Sequence, residues 1–231
     1  LRQWRDQIAK DIGPRQADYR IAFLRRVLSV AYDNGDIDIN HARNLGQLYS
    51  GDRAEKIWEN AHIDAFLARA SPEMALALRL ALDTAQRQGD LIKLPWTQFD
   101  GSCITLRQQK TTKTVAVPCT ALLCKALSGA PKRAVTILTG KRGQPWTSDG
   151  FRTEWRKVSL AAGIKDRTFH DLRGTAITRM AEAGCEIPEI ATISGHSVNQ
   201  VSRIIDAYLA RTHRLARSAI AKLEHHRKRN G

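Results

Sequence analysis

The sequence predicts an α+β fold that is mainly helical: a helical segment, then a larger domain in which helices accompany a small three-stranded antiparallel sheet. Two observations carry this. Apolar residues recur at helical spacing early in the chain and again from Ser148 onward. Between those regions, over 96–117, the pattern shortens to alternation bounded by turn residues.

Taken in order, residues 1–50 read as helical, with Ile21, Leu24, Val27, Leu28 and Ala31 on one stripe and Asp33-Asn34-Gly35 as the stop. Residues 51–57, polar and opening on Gly51, form the expected linker to a main domain over 58–231. Ser71-Pro72-Glu73 supplies an N-cap, a proline at the first helical position and a first-turn acid, so a helix starts there and runs toward Arg87. Three short strands are expected at Trp96–Asp100, Ser102–Gln109 and Thr114–Val117. Asp100-Gly101 turns between the first two, 110–113 loops between the last two, and Pro118 ends the run. Further helices are expected over Asp149–Ala162, Thr168–Ala183, Pro188 to about Gly195, and Val198–Leu209. The tail 211–231, with Leu215, Ile220 and Leu223 among many bases, reads as a last helix.

The composition bounds the function. Thirty-seven Lys and Arg against 23 Asp and Glu leave a net charge of +14, the balance of a chain that meets a polyanion. Charge alone does not separate DNA from RNA or an anionic membrane surface. No apolar run approaches the ~18 residues that a span needs, and no signal peptide is visible. Cys103, Cys119, Cys124 and Cys185 form no CxxC pair and read as reduced, buried thiols of a cytoplasmic protein. No His, Cys or carboxylate cluster has metal-ligand spacing and no glycine-rich phosphate loop is present, so neither metal nor cofactor is expected. The chain starts at Leu1 rather than Met and enters helix-like sequence at once, so residues are expected before it.

Six side chains stand out for phosphate chemistry. Arginine matches phosphate oxygens bidentately and keeps its charge, so Arg87 and Arg173 suit a clamp on one phosphate. Asp90, three residues after Arg87, is placed to steady it. His170 and Arg173 lie three apart on one predicted helix and share a face; a histidine there can donate to phosphate or shuttle a proton. Lys110 sits on a hairpin tip, with Lys113 as the alternative for any role a loop lysine plays. His196 follows Gly195 at a helix end. Tyr208 is the only one of four tyrosines located after these residues, and a phenol surrounded by arginines and histidines becomes a usable nucleophile. Each has an ordinary reading as well: surface charge for the arginines, a solubilising hairpin for Lys110, a turn residue for His196, core packing for Tyr208.

The order Arg87, Lys110, His170-Asp-Leu-Arg173, Gly195-His196 and Tyr208 resembles the tyrosine recombinases, or phage integrase family, over roughly residues 60–215. The chain has Ala85 where that family usually has glycine. Tyr208 follows His196 by twelve residues, roughly three more than is usual, or nearly one helical turn. The resemblance implies a tyrosine recombinase catalytic domain over 58–231, with 1–50 as part of a helical core-DNA-binding domain. It implies that Tyr208 attacks a scissile phosphate to give a 3′-phosphotyrosyl link, and that Lys110 protonates the departing 5′ oxygen. Arg87, His170, Arg173 and His196 then hold the phosphate. The partners it implies are double-stranded DNA bearing a recombination site, three further copies in a tetramer, and accessory DNA-bending or excisionase proteins. A non-catalytic DNA-binding protein, or an enzyme like the type IB topoisomerases, is the alternative.

Overall fold

A computed structural model describes residues 1–49 and 56–209 and five positions of the tail, 220, 221, 223, 224 and 227, which are helical. The chain divides into two compact units, Leu1–Asp52 and Arg53–Gly231. Most of the expected linker and of the expected tail helix lies outside the described residues.

The first unit is built on α1 (Arg2–Ile12) and α2 (Pro14–Asp33), separated by Gly13 at φ 97 and followed by Pro14 at the first helical position. A proline there loses no helical hydrogen bond, and its fixed φ starts the new helix directly. Helix α2 ends at Asp33, where the Asp-Asn-Gly stop predicts. The segment after it folds back onto the helix. Arg25 donates to the carbonyls of Ala42 (2.9 Å) and Leu45 (2.8 Å), and Asp18 accepts the Leu48 and Tyr49 N–H groups. Ile21, Ala42 and Leu45 close a small core beneath.

In the second unit, α3 (Asn60–Leu67) and α4 (Pro72–Thr84) come first. Ser71 Oγ accepts the Met74 N–H, so the Ser-Pro-Glu start is read correctly. Then come α5 (Gln88–Ile92), β1 (Cys103–Arg107), β2 (Thr114–Pro118), α6 (Ala121–Ser128), α7 (Ser148–Ala161), α8 (Asp171–Glu182), α9 (Ile187–Ser194) and α10 (Val198–Leu209). Sequence periodicity did not single out α3, α5 or α6. The core is aromatic at its centre: Trp58, Phe66, Phe151, Trp155 and Phe169 pack with ring centroids 4.2 to 6.0 Å apart. Such pairs contribute about 0.5–1.5 kcal/mol each beyond the area they bury. The chain entering this unit is pinned to that core. Trp58 N–H donates to Thr175 Oγ1 of α8, and its indole N–H to the Thr168 carbonyl just before α8.

The sheet has two strands, not the three expected. β1 and β2 are antiparallel, with Cys103 opposite Pro118 and Arg107 opposite Thr114. Ile104, Leu106, Val115 and Val117 face the core while their neighbours face out. The segment expected as a third strand is a 3₁₀ turn, Trp96–Gln98, followed by a single bridge from Phe99 to Ile104. The Asp100 carboxylate is the physical reason. It accepts the N–H groups of Ser102 (2.8 Å) and Cys103 (2.7 Å), and this tight turn leaves no room for a longer ladder. The cysteines are less buried than expected: Cys103, Cys119 and Cys124 are half-buried and Cys185 is exposed, all as free thiols. Burial and the neighbouring Cys124 and Cys103 thiols push the Cys119 thiol up to about 12. Among the described residues, no helix is long and apolar enough to cross a membrane.

Candidate active site

The site forms where the end of α4, the β1–β2 hairpin, the start of α8 and the end of α9 meet. Helix α4 stops at Ala85, which stands in the left-handed region at φ 53 and turns the chain sharply. That conformation costs an alanine about 1–2 kcal/mol more than a glycine. Gln86 follows, and then Arg87 as the extended N-cap of α5. Arg87 thus lies at a helix–helix junction rather than the helix–strand junction that the sequence suggests.

Arg173 is in the first turn of α8 and only 4% exposed. Its guanidinium is held by main-chain carbonyls, those of Ala85 and of Ser194 (2.8 Å), and it contacts the His196 ring at 3.1 to 3.3 Å. Neither Arg173 nor Arg87 takes part in an ion pair among the described residues. Burial, then the charge of Arg87, pulls Arg173 down to about 9, and Asp90 opposes this. Arg173 therefore remains a cation near neutral pH, close enough to Arg87 for the two charges to repel. An anion placed beside them would relieve their repulsion.

His196 follows Gly195, the left-handed cap of α9 at φ 70. Its Nδ1 lies 3.1 Å from Ser194 Oγ. Burial first, and then the charges of Arg173, Arg87, His170 and Lys113, draw His196 down to about 3, so it is neutral at physiological pH. A neutral ring has a lone pair to accept from Arg173, whose guanidinium contacts both ring nitrogens. His170 caps α8 from an exposed position. Its charge and that of Lys113 are both felt at His196, so both belong to this neighbourhood.

Lys110 is exposed in the hairpin loop between Gln108 and Lys113, which is closed by a 2.8 Å bond from Gln108 N–H to the Lys113 carbonyl. Asp90 does not do what the sequence suggests. Its Oδ1 accepts the Gln109 N–H at 2.9 Å, fastening the root of the lysine hairpin to α5, while Arg87 donates to Gln108 Oε1 at 3.2 Å. The other Asp90 oxygen is buried without a hydrogen-bond partner among the described residues.

Tyr208 stands apart. Its hydroxyl donates to the Glu182 carboxylate at the last turn of α8. Glu182 is nine residues beyond Arg173 on that helix, roughly 13 Å of helix rise away. The structure therefore gathers Arg87, Arg173 and His196, with His170 and Lys113 at the edge and Lys110 on the adjoining loop, and leaves Tyr208 outside that group.

Two further residues at this centre were missed: Gln108 and Gln86, which are 0% and 1% exposed. The signal for Gln108 is present in the alternation of β1. Ile104 and Leu106 face inward, so the next inward position is 108, and a polar residue there must be bonded to something. Gln86 leaves no such signal.

The Phage integrase family profile matches residues 50–213. The shufflon-specific DNA recombinase of Escherichia coli is 30% identical over 174 residues, which is 74% of this chain and 42% of that protein. The integrase of Escherichia phage lambda is 27% identical over 170 residues, 65% of this chain and 48% of that protein. The chain thus spans less than half the length of these curated relatives. A crystal structure of a lambda integrase dimer bound to a core site superposes with a TM-score of 0.73 at 22% identity, covering 89% of this chain and 78% of that one. The Tn1549 transposon integrase in complex with a circular intermediate DNA gives 0.75 at 17%, covering 95% and 83%. At those identities the superpositions speak for the fold alone; the profile decides membership, and the chain belongs to the phage integrase family.

Proposed function

We propose that this chain is the catalytic part of a site-specific DNA recombinase that cuts and rejoins strands through a 3′-phosphotyrosyl intermediate. The observation that carries the reading is the buried Arg173 within the electrostatic reach of Arg87, neither of them in an ion pair among the described residues. Two cations are held together by carbonyls and a glutamine, and the group that fits between them is a phosphate. In the reaction, the Tyr208 oxygen attacks phosphorus as the phenol gives its proton to solvent water. The bond from phosphorus to the 5′ oxygen breaks, and the Lys110 ammonium gives that oxygen a proton. Arg87 and Arg173 neutralise the non-bridging oxygens as charge builds, and His196 and His170 add hydrogen bonds. Rejoining reverses these steps with the 5′ hydroxyl of a partner strand. The phosphotyrosine keeps the energy of the broken bond, so the cycle draws on no nucleotide cofactor, and the arginines supply the charge that a metal would otherwise bring.

Tyr208 has to reach the arginines from its place beside Glu182. Sliding α10 along α8 would pull Val201 and Ile205 out of the cluster they form with Ala176, Ile177, Ala181 and Ile190, at about 1.5–3 kcal/mol for each side chain. Unwinding the last turn of α10 breaks a few helical hydrogen bonds worth about 1 kcal/mol each and leaves that cluster packed. The second route costs less, and it moves only the residues after Ile205.

The partner in this reading is duplex DNA with a specific recombination site, engaged by four copies, as the lambda integrase tetramer engages a Holliday junction. Accessory DNA-bending or excisionase proteins and a place on the bacterial nucleoid in the cytoplasm belong to the same reading. The test is covalent capture. The protein is mixed with a library of nicked duplexes of randomised core sequence, with EDTA present, and then denatured. An adduct on DNA that Tyr208→Phe abolishes is the expected result. Tight binding without any adduct would make this a DNA-binding protein with no strand-transfer activity, the reading that the Tyr208–Glu182 contact favours.

A further inference from the structure

We infer that Gln108 is a positioning residue that locks the Lys110 hairpin to the arginine–histidine cluster, and that Gly195 is the gap it requires. The inference rests on the strand-transfer reading above and names a residue that reading does not use.

A glutamine amide has two N–H donors and, on its oxygen, two lone pairs. In Gln108 all four are taken. Nε2 donates to Gln86 Oε1 at 2.7 Å and to the Ser194 carbonyl at 2.9 Å. Oε1 accepts from Thr111 Oγ1 at 2.7 Å and from Arg87 Nη1 at 3.2 Å. The reversed orientation is ruled out, because it would set the NH₂ against the Arg87 guanidinium and the oxygen against two acceptors. Gln86 cannot turn to accommodate it, since both of its own N–H groups are spent on the Thr84 and Ile193 carbonyls, each at 2.8 Å.

Each bond leads to a different part of the proposed machinery. Arg87 is held directly. Arg173 is reached through the Ser194 carbonyl, which accepts from both Gln108 and Arg173. The loop is reached through Thr111, the residue after Lys110. The main chain repeats the connection: Gln108 N–H donates to the Lys113 carbonyl, and the Gln108 carbonyl accepts from Thr112 at 2.9 Å. Thr112 is held at φ 56, a conformation rare for a β-branched residue. Lys110 therefore stands on a loop whose shape is set from one buried amide. Gly195 completes the arrangement. A Cβ there would lie 2.4 Å from Gln108 Nε2 and 2.6 Å from Oε1, so any larger residue displaces the amide.

The test asks whether Gln108 acts through the proton that Lys110 delivers. A duplex captured from the randomised library is remade with sulfur in place of the bridging 5′ oxygen at the cleaved phosphate. When the phosphorus–sulfur bond breaks, the thiolate keeps the electron pair and leaves without a proton, so a misplaced Lys110 no longer matters. On the ordinary duplex, Gln108→Met should slow adduct formation by roughly 10- to 100-fold, part of the range a general acid supplies. On the sulfur duplex it should fall within about threefold of the unaltered protein, as Lys110→Ala should, while Arg173→Ala stays slow on both. Thr111→Val removes one bond from a half-buried loop position and leaves the core intact. It should give a smaller slowing, roughly 3- to 10-fold, that sulfur also erases, and it decides the matter if Gln108→Met does not fold. Equal slowing on both duplexes, or no slowing on either, overturns the inference while strand transfer stands. An unaltered protein that forms no adduct on either duplex overturns both.

Discussion

Gly195→Ala should cost far more stability than a helix-cap glycine normally does, and the excess should vanish when Gln108 is shortened. At φ 70 an alanine pays the left-handed penalty, about 1–2 kcal/mol. The new methyl would also sit within 2.7 Å of three Gln108 amide atoms. Moving those atoms is sterically easy, because they are the tip of a flexible side chain. The cost lies in what the tip holds: four hydrogen bonds at a site that is 0% exposed, each worth about 0.5–1.5 kcal/mol net. Gly195→Ala should therefore lose about 3–8 kcal/mol in all. In a Gln108→Ala background the bonds are already gone, and the same change should lose only about 1–2 kcal/mol. The coupling between the two positions is the difference, about 2–6 kcal/mol. Urea unfolding followed by tryptophan emission reads this well, since Trp58, Trp96, Trp146 and Trp155 all lie in the second unit and only Trp4 in the first. Additive losses, with a coupling below about 0.5 kcal/mol, would show that the amide does not fill the space beside Gly195.

Two other outcomes test the electrostatics. His196 is held near 3 in the folded chain against an ordinary value of 6.5, so between those values the unfolded chain binds a proton that the folded chain refuses. Stability contributed here is complete above pH 6.5 and falls as the pH drops; lowering it from 7.5 to 5 should cost about 1–2 kcal/mol, a loss that His196→Asn lacks when the two urea midpoints are compared. An identical acid slope in both proteins would contradict the burial described for this ring. The pair of unneutralised guanidiniums should also bind a simple tetrahedral dianion. Roughly 20 mM sulfate, with a Kd of about 5 mM, should add about 1 kcal/mol and raise Tm by about 2–4 °C. Arg87→Ala should abolish that increment, and an equal rise in the variant would place the anion elsewhere.

Local chemistry was legible wherever a few neighbouring residues decide the structure. Ser71-Pro72-Glu73 announces α4 because the cap, the proline and the acid all act within one turn. Asp33-Asn34-Gly35 ends α2 for the same reason. The expected third strand was lost to a single side chain, Asp100, whose turn competes with the ladder that Trp96–Phe99 would otherwise extend. Helix α5 was hidden because it is only five residues long with a glycine inside it, so neither period nor propensity could reveal it. In the site, residue types and order pointed to Arg87, Arg173 and His196, since few side chains suit a phosphate. The wiring was not legible. The bonds that join Gln108 to Gln86 and to Ser194 cross 22 and 86 residues of chain, and no local pattern encodes a contact of that reach.

The twelve-residue interval between His196 and Tyr208 has a consequence in helix geometry. At about 100° per residue, Tyr208 falls within roughly 20° of Val201 and 60° of Ile205. That interval therefore keeps the tyrosine on the face of α10 that packs against α8. The position one turn earlier is occupied by Ile205, 8% exposed and committed to the cluster that binds α10 in place. A tyrosine at 205 would have to choose between that packing and reaching a phosphate, whereas one at 208 sits where the apolar stripe ends and the last turn can open without disturbing Val201 or Ile205. On this reasoning the interval separates the side chains that anchor the helix from the one proposed to leave it.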